Sequence, residues 1–203
     1  MRIYMELVEA LHTENIMKLT YQYREGVDGM DNMLTRFRHA DDKLFYRING
    51  SKELYRSFFG YVTHLGGARF SVGSIFILFF LGQYYSWLMD TVIAAAVSLI
   101  ISHILMMLLK KGVKRIRPYM TLPGAIIHGY PFKDHSFPSG HSTAIFSITI
   151  PFMIHYPITM LVLFPLSWLV GYSRVVLGVH YPSDVLAGAF LAFATTMMVI
   201  LFI

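Results

Sequence analysis

Long stretches of this chain carry no charge, and that pattern limits its fold more than any other feature of the sequence. After Arg69 the next charged residue is Asp90, after Asp90 it is Lys110, after Asp134 it is Arg174, and none follows Asp184. Each gap matches the roughly 20 apolar residues that a helix needs to cross a bilayer. The pattern predicts spans near 70–88, 91–109, 137–155, 158–175 and 184–203. With 55% hydrophobic residues and 14% charged ones, a soluble domain of 203 residues is excluded, and the expected fold is an all-α polytopic membrane helix bundle.

The third and fourth spans form a hairpin that turns at His155-Tyr156-Pro157. Pro151 and Pro165 lie inside it, which a membrane helix tolerates when neighbours satisfy the freed carbonyls. Without cysteine, neither disulfides nor thiol chemistry are available. Met1 to Glu25 lacks the apolar core of an export signal, so no cleavable signal peptide is expected.

Residues 1–65 are the hydrophilic part, with ten basic and nine acidic residues counted through Arg69. Tyr4, Val8, Leu11, Ile16 and Leu19 recur near helical spacing, as do Leu44, Ile48, Tyr55, Phe58, Phe59 and Val62. The expectation is two amphipathic helices on the membrane surface, the first ending at Arg24-Glu25-Gly26, with a partner-binding or regulatory arm as the alternative. This divides the chain into an interfacial segment, 1–65, and a membrane-embedded domain, 66–203.

Three polar clusters stand at span ends. Lys110 to Pro118, Lys-Lys-Gly-Val-Lys-Arg-Ile-Arg-Pro, follows the second span and taken alone is the ordinary basic flank of a membrane helix. Pro138-Ser139-Gly140-His141 opens the third, where a helix N-terminus offers backbone donors to an anion. Ser173-Arg174, His180 and Asp184 link the fourth and fifth; a carboxylate four residues after a histidine can hold one ring nitrogen and leave the other basic. Alternation of span direction brings all three to one membrane face. Lys110, Arg117 and Arg174 would then surround an anion with two histidines in reach, an arrangement suited to phosphoryl transfer.

Lys110-x6-Arg117-Pro118, Pro138-Ser139-Gly140-His141 and Ser173-Arg174-x5-His180-x3-Asp184 resemble, in order and spacing, the three signature motifs of the type 2 phosphatidic acid phosphatase superfamily. The resemblance covers roughly residues 60–203, with no departure at a signature position. It implies that His180 attacks phosphorus to give a phosphohistidine, that Asp184 orients it, and that His141 is the general acid. Lys110, Arg117, Ser139, Gly140 and Arg174 would bind the phosphate. No metal or other cofactor is implied, and the sequence offers no further carboxylate or histidine cluster for one. Members usually have six spans; here the surface helices of 1–65 stand in for the first, which puts the N-terminus on the active-site face and the C-terminus on the other.

The implied substrate is a lipid phosphate in the bilayer: undecaprenyl pyrophosphate, phosphatidylglycerophosphate or phosphatidic acid, by similarity to the bacterial undecaprenyl-pyrophosphate phosphatases and phosphatidylglycerophosphatase B. No nucleic-acid partner is expected. Every Lys and Arg lies on the active-site face, which the positive-inside tendency would make cytoplasmic. Six of the seventeen belong to the loop carrying the first two motifs, where they serve phosphate, and the resemblance implies the outer face. The expectation is a multi-pass cell-membrane protein with an extracytoplasmic active site. A lipid phosphotransferase using the same site is the alternative, and it would need a second polar pocket. A non-enzymatic binder of anionic lipid would explain the basic loops but not the pairing of His180 with Asp184.

The remaining histidines read more plainly. His103 is expected to bond between helices, and His135 to lie near substrate behind His141. His12, His39, His64, His128 and His155 read as surface or turn residues. Tyr119, Tyr130, Phe132, Phe137 and Tyr181 read as interface anchors, with a lipid entry path as the alternative.

Overall fold

The computed structural model describes residues 32–50, 53–129 and 131–202, and every regular element among them is helical. The expected helix over residues 4–19 and its end at Gly26 lie outside the described residues, as do His12 and Tyr130. Two compact units divide the chain, Met1–Ala40 and Asp41–Ile203. Of the first, the described part is the opening of α1 (Asn32–Asn49). The second unit contains everything that follows.

It comprises the rest of α1, then α2 (Glu53–Val62), a 3-10 turn over Thr63–Gly66, α3 (Ala68–Tyr84), α4 (Ser86–Val113), a single turn α5 (Pro118–Thr121), α6 (Gly140–His155), a second 3-10 turn over Pro157–Thr159, α7 (Met160–Val176) and α8 (Pro182–Phe202). The stretch Leu44 to Val62, periodic throughout, forms two helices and not one. The first ends at Asn49-Gly50, and the second starts at Glu53. Nor do they only lie on a surface. Phe45 is fully buried against Val175, Tyr181 and Val185. Asn49 closes a hydrogen-bonded clamp, donating to the carbonyls of Ile126 and Val176 and accepting from the Ile126 N–H.

The five apolar segments are helices where expected, with shifted ends. α3 and α4 meet at Tyr85 and not near Asp90, because the Tyr85 N–H closes the last turn on Leu81 and the Tyr85 carbonyl accepts from Leu88. Asp90 therefore lies inside α4, just past its first turn. The turn at His155-Tyr156-Pro157 is as expected.

By length and composition, three helical stretches can cross a membrane: Ser86–Thr121, Pro157–Val176 and Pro182–Phe202; the pair Tyr55–Gly66 and Ala68–Tyr84, bent by 48°, makes a fourth if it is one span. α6 has 16 residues and rises about 24 Å, less than the roughly 30 Å hydrocarbon core. Its position explains how it does without the length: packed against α3, α4, α7 and α8, it is buried along almost its whole run.

Lipid gives helices no hydrophobic reason to associate, so small residues and hydroxyl pairs must bring them together. Ser102 on α4 bonds Ser147 on α6 at 2.8 Å, and Thr149 on α6 bonds Ser167 on α7 at 2.8 Å. His155 is tied back to Thr91 at 2.7 Å. A Cβ on Gly188 would lie 2.7 Å from the Ser139 carbonyl, so glycine lets α8 touch the start of α6. Large apolar side chains such as Phe76, Phe80, Ile100, Leu161 and Phe190 point outward, as a bundle in lipid requires.

Candidate active site

Phosphate chemistry needs cations, a nucleophile and a proton donor held together, and the helix ends supply them from three separate stretches. α4 stops at Val113, with Lys114 in the left-handed conformation, and leaves Lys110 on its last turn. The chain then runs extended to Arg117, and Pro118 starts α5 at the position where a missing N–H costs nothing. Arg117 is almost completely buried. It donates from Nε to the Asp134 carbonyl (2.9 Å), from Nη2 to the Asp134 carboxylate (2.6 Å) and from Nη1 to the Val179 carbonyl (2.8 Å).

His180 is equally buried, in the link between α7 and α8. Its Nε2 lies 3.3 Å from Arg117 Nη1. A guanidinium can only donate, so Nε2 presents its lone pair and the ring proton belongs on Nδ1. Nδ1 faces Asp184 Oδ2 at 3.5 Å, an ion-pair separation longer than an aligned hydrogen bond, and has no other partner among the described residues. Burial first, then the charges of Arg174 and Arg117, holds the His180 pKa well below the usual histidine value. Asp184 stands in the first turn of α8, its Oδ2 accepting from the Tyr181 N–H at 2.9 Å in half of a capping box.

Arg174 lies in the last turn of α7, with Nη1 on the Thr63 hydroxyl at 2.5 Å and Nε without a partner among the described residues. A buried guanidinium N–H left open is costly unless an anion fills it. Ser139 caps α6: its hydroxyl accepts from Ser142 Oγ at 2.9 Å and keeps its own proton to give, while its backbone N–H is taken by the Asp184 carbonyl at 3.0 Å. Gly140 and His141 follow in the first helical turn, where backbone donors point along the axis toward an anion. The His141 ring reaches beside Gly67, where an added Cβ would lie 3.7 Å from Nε2. Gly66 must be glycine, since a Cβ would come within 2.8 Å of the His141 carbonyl and 2.7 Å of Val170.

Of the eight site residues read from the sequence, four are joined directly: Arg117 to His180, His180 to Asp184, and the Asp184 carbonyl to the Ser139 N–H. Lys110 joins through Asp134, whose carboxylate it meets at 2.5 Å while donating to the His135 carbonyl at 2.9 Å. Asp134 therefore bridges two of the cations, and that pairing lowers its pKa to about 2 despite partial desolvation.

Sequence reasoning missed Asp134, Arg115, Asp41 and Thr63. Arg115 sits in the quoted basic run, but nothing in its spacing separates it from Lys111 or Lys114. Asp41 is so far along the chain from Asp184 that only the fold connects them.

Several side readings change. His103 bonds Leu99 of its own helix at 3.0 Å, not a neighbouring helix, because four residues is one turn. Tyr181 is buried, with Thr121 on its hydroxyl at 2.7 Å and Arg115 over its ring at 3.8 Å, so it anchors nothing at the interface. Phe132 lies under both Arg117 and Arg174, at 4.6 and 5.3 Å from its ring centre. His64 and His128, with Ser57, Tyr61, Phe132 and Arg174, line a cavity of about 520 Å³ beside the cations. Among the described residues no group of three or more His, Asp or Glu side chains converges to hold a metal ion.

Comparison with known proteins gives the family. The model of the PAP2 superfamily matches residues 91–203, which contain all three motifs. The chain belongs to the PAP2 superfamily. Within it, a lipid A 1-phosphatase of Rhizobium johnstonii is 31% identical over 159 residues, covering 70% of this chain and 65% of that protein. The bacitracin transport permease protein BcrC of Bacillus licheniformis is 34% identical over 128 residues, covering 59% and 62%. The chain thus spans a little under two thirds of the length of these relatives.

Two crystal structures share the fold. LpxE of Aquifex aeolicus superposes with a TM-score of 0.68 at 25% identity over 78% of this chain and 93% of its own. A transmembrane PAP2-type phosphatidylglycerolphosphate phosphatase of Bacillus subtilis gives 0.70 at 22% identity over 93% and 94%. The second likeness extends over nearly the whole chain.

Proposed function

We propose that this protein is a membrane phosphatase that removes phosphate from a lipid phosphomonoester or diphosphate through a phosphohistidine on His180, without a metal. One observation carries the reading. His180 Nε2 faces a cation with its lone pair while Nδ1 faces a buried carboxylate, the tautomer and orientation that an attacking imidazole needs.

Lys110, Arg117 and Arg174, with the first turn of α6, would hold the phosphoryl oxygens and stabilise the charge that builds on them. His180 Nε2 attacks phosphorus as the ester oxygen departs with a proton from His141. Asp184, facing Nδ1, stabilises the cationic phosphohistidine. Water, giving its proton back to His141, then attacks phosphorus, frees phosphate and restores Nε2. Low-lying charge on His180 suits this cycle, because only a neutral imidazole can attack.

The relatives' names supply substrate candidates for this site: lipid A 1-phosphate, phosphatidylglycerophosphate and undecaprenyl diphosphate. Phosphatidic acid joins them on the sequence resemblance. The cavity beside Arg174 has room for the headgroup end of such a lipid, next to the phosphate. We place the active site on the extracytoplasmic face, with the basic loops committed to phosphate and not to orientation.

The test is phosphate release by detergent-purified protein from those four lipids with EDTA present, beside His180→Ala. The account predicts release that His180→Ala abolishes while its helical signal is kept. Release restored only by added divalent metal, or equal in His180→Ala, would defeat it. Phosphate passed to a second lipid in place of water would make the protein a transferase.

A further inference from the structure

The Asp184 carboxylate is held from both sides. Oδ2 takes the Tyr181 N–H and faces His180, while Oδ1 takes Nη1 of Arg115 at 2.7 Å. Arg115 stands at one of the unspecified positions inside the first motif, and its guanidinium is turned to carboxylates. Its Nη1 also reaches the Ser183 hydroxyl at 2.7 Å, its Nη2 meets Asp41 Oδ2 at 2.7 Å, and its plane stacks on Tyr181 at 3.8 Å. Asp41, on α1, is itself buried and accepts the Ser183 N–H at 2.9 Å through Oδ1 and the Ser183 hydroxyl at 2.5 Å through Oδ2. One carboxylate from α1 thus caps the first turn of α8 and aims the guanidinium that fixes the carboxylate behind the nucleophile.

The fork geometry matters here. A guanidinium presents its donors in one rigid plane, so fixing Nη2 on Asp41 fixes where Nη1 points. Without it, Asp184 loses the charged partner that fixes Oδ1, and its carboxylate can turn about its own χ angles, which would carry Oδ2 away from Nδ1. We propose that Arg115 and Asp41 are positioning residues that set the Asp184 carboxylate for His180, Asp41 acting from a helix that carries none of the motifs. This rests on the reading of His180 as nucleophile.

The experiment uses full-length protein in detergent with short-chain phosphatidic acid as probe. Asp41→Asn and Arg115→Lys are each made alone and in an Asp184→Asn background, with His180→Ala as reference. Each single substitution should lower kcat about 10- to 100-fold, the scale of a lost charged hydrogen bond, with KM little changed. In the Asp184→Asn background the same substitutions should cost nothing further, because residues that act through one another are not additive. A role in folding alone would add its cost in both backgrounds.

Wild-type kcat in Asp41→Asn and Arg115→Lys beside an inactive His180→Ala would overturn this inference alone. So would an equal loss in the Asp184→Asn background, or a variant that loses its helical signal. Turnover surviving in His180→Ala would overturn the nucleophile assignment and this inference with it.

Discussion

His180 is neutral in the folded protein because it is buried and because Arg174 and Arg117 repel a second positive charge. Unfolded, it titrates near the ordinary histidine value of about 6.5. Above that pH neither state is protonated there, and His180 makes stability no pH-dependent contribution. As pH falls through it, the unfolded chain gains a proton that the folded one refuses, and stability drops. The Tm of the wild type should therefore lose ground to His180→Asn as pH is lowered from about 7.5 to 5.5; a gap that stays constant would show His180 to be exposed. Asp134 shifts in the same sense at lower pH: Lys110 and Arg117 hold its pKa down to about 2, so its contribution to stability is present above the ordinary carboxylate range and is lost as pH falls toward 2. Its carboxylate pairs with Lys110 and Arg117, the cations proposed to hold phosphate. Asp134→Asn should tighten inhibition by inorganic phosphate about 2- to 5-fold, the scale of a half-exposed ion pair, and weaker inhibition would contradict that role. The motif residues were legible one by one because their chemistry requires particular types at fixed spacing. Arg115 and Asp41 were not, since an arginine in a basic flank and an aspartate in an amphipathic helix look the same whether or not they meet.

The turn between α7 and α8 places Val179 and His180, and it depends on Gly178. That residue has φ +78°, and an added Cβ would lie 2.2 Å from the Ile126 carbonyl oxygen. Both the backbone conformation and the space exclude a side chain. Gly178→Ala should cost more than about 1 kcal/mol and lower kcat by moving His180, read by a thermal melt and by turnover. Gly73, within α3, has open space around its Cβ position. Gly73→Ala should leave activity intact and gain about 0.5–1 kcal/mol in helix stability; equal effects at the two glycines would refute the reading of the turn. Helix existence was readable from uncharged length, but helix ends were not. Charge marked Asp90 as a boundary, whereas the break falls at Tyr85, where backbone hydrogen bonds decide it. Likewise the period through Leu44–Val62 continues across a break that only the chain's return onto Phe45 and Asn49 requires.

For the molecule in the membrane, charge-free runs gave the number of apolar helices, and alternation of their direction gave the meeting of three loops at one end. What the runs could not show is the inequality among those helices. α6, buried on every side, need not match the bilayer, and its N-terminus can be spent on the phosphate site. The whole arrangement reduces to one chemical statement, that the substrate's phosphoryl group passes through His180. Rapid acid-free quenching of the enzyme during turnover, followed by mass spectrometry of its peptides, tests it directly. The account predicts a phosphoryl group on the His180 peptide that survives alkali, is lost in acid and is absent from His180→Ala. Steady turnover with no phosphoryl group on any peptide, or with one on a residue other than His180, would contradict it.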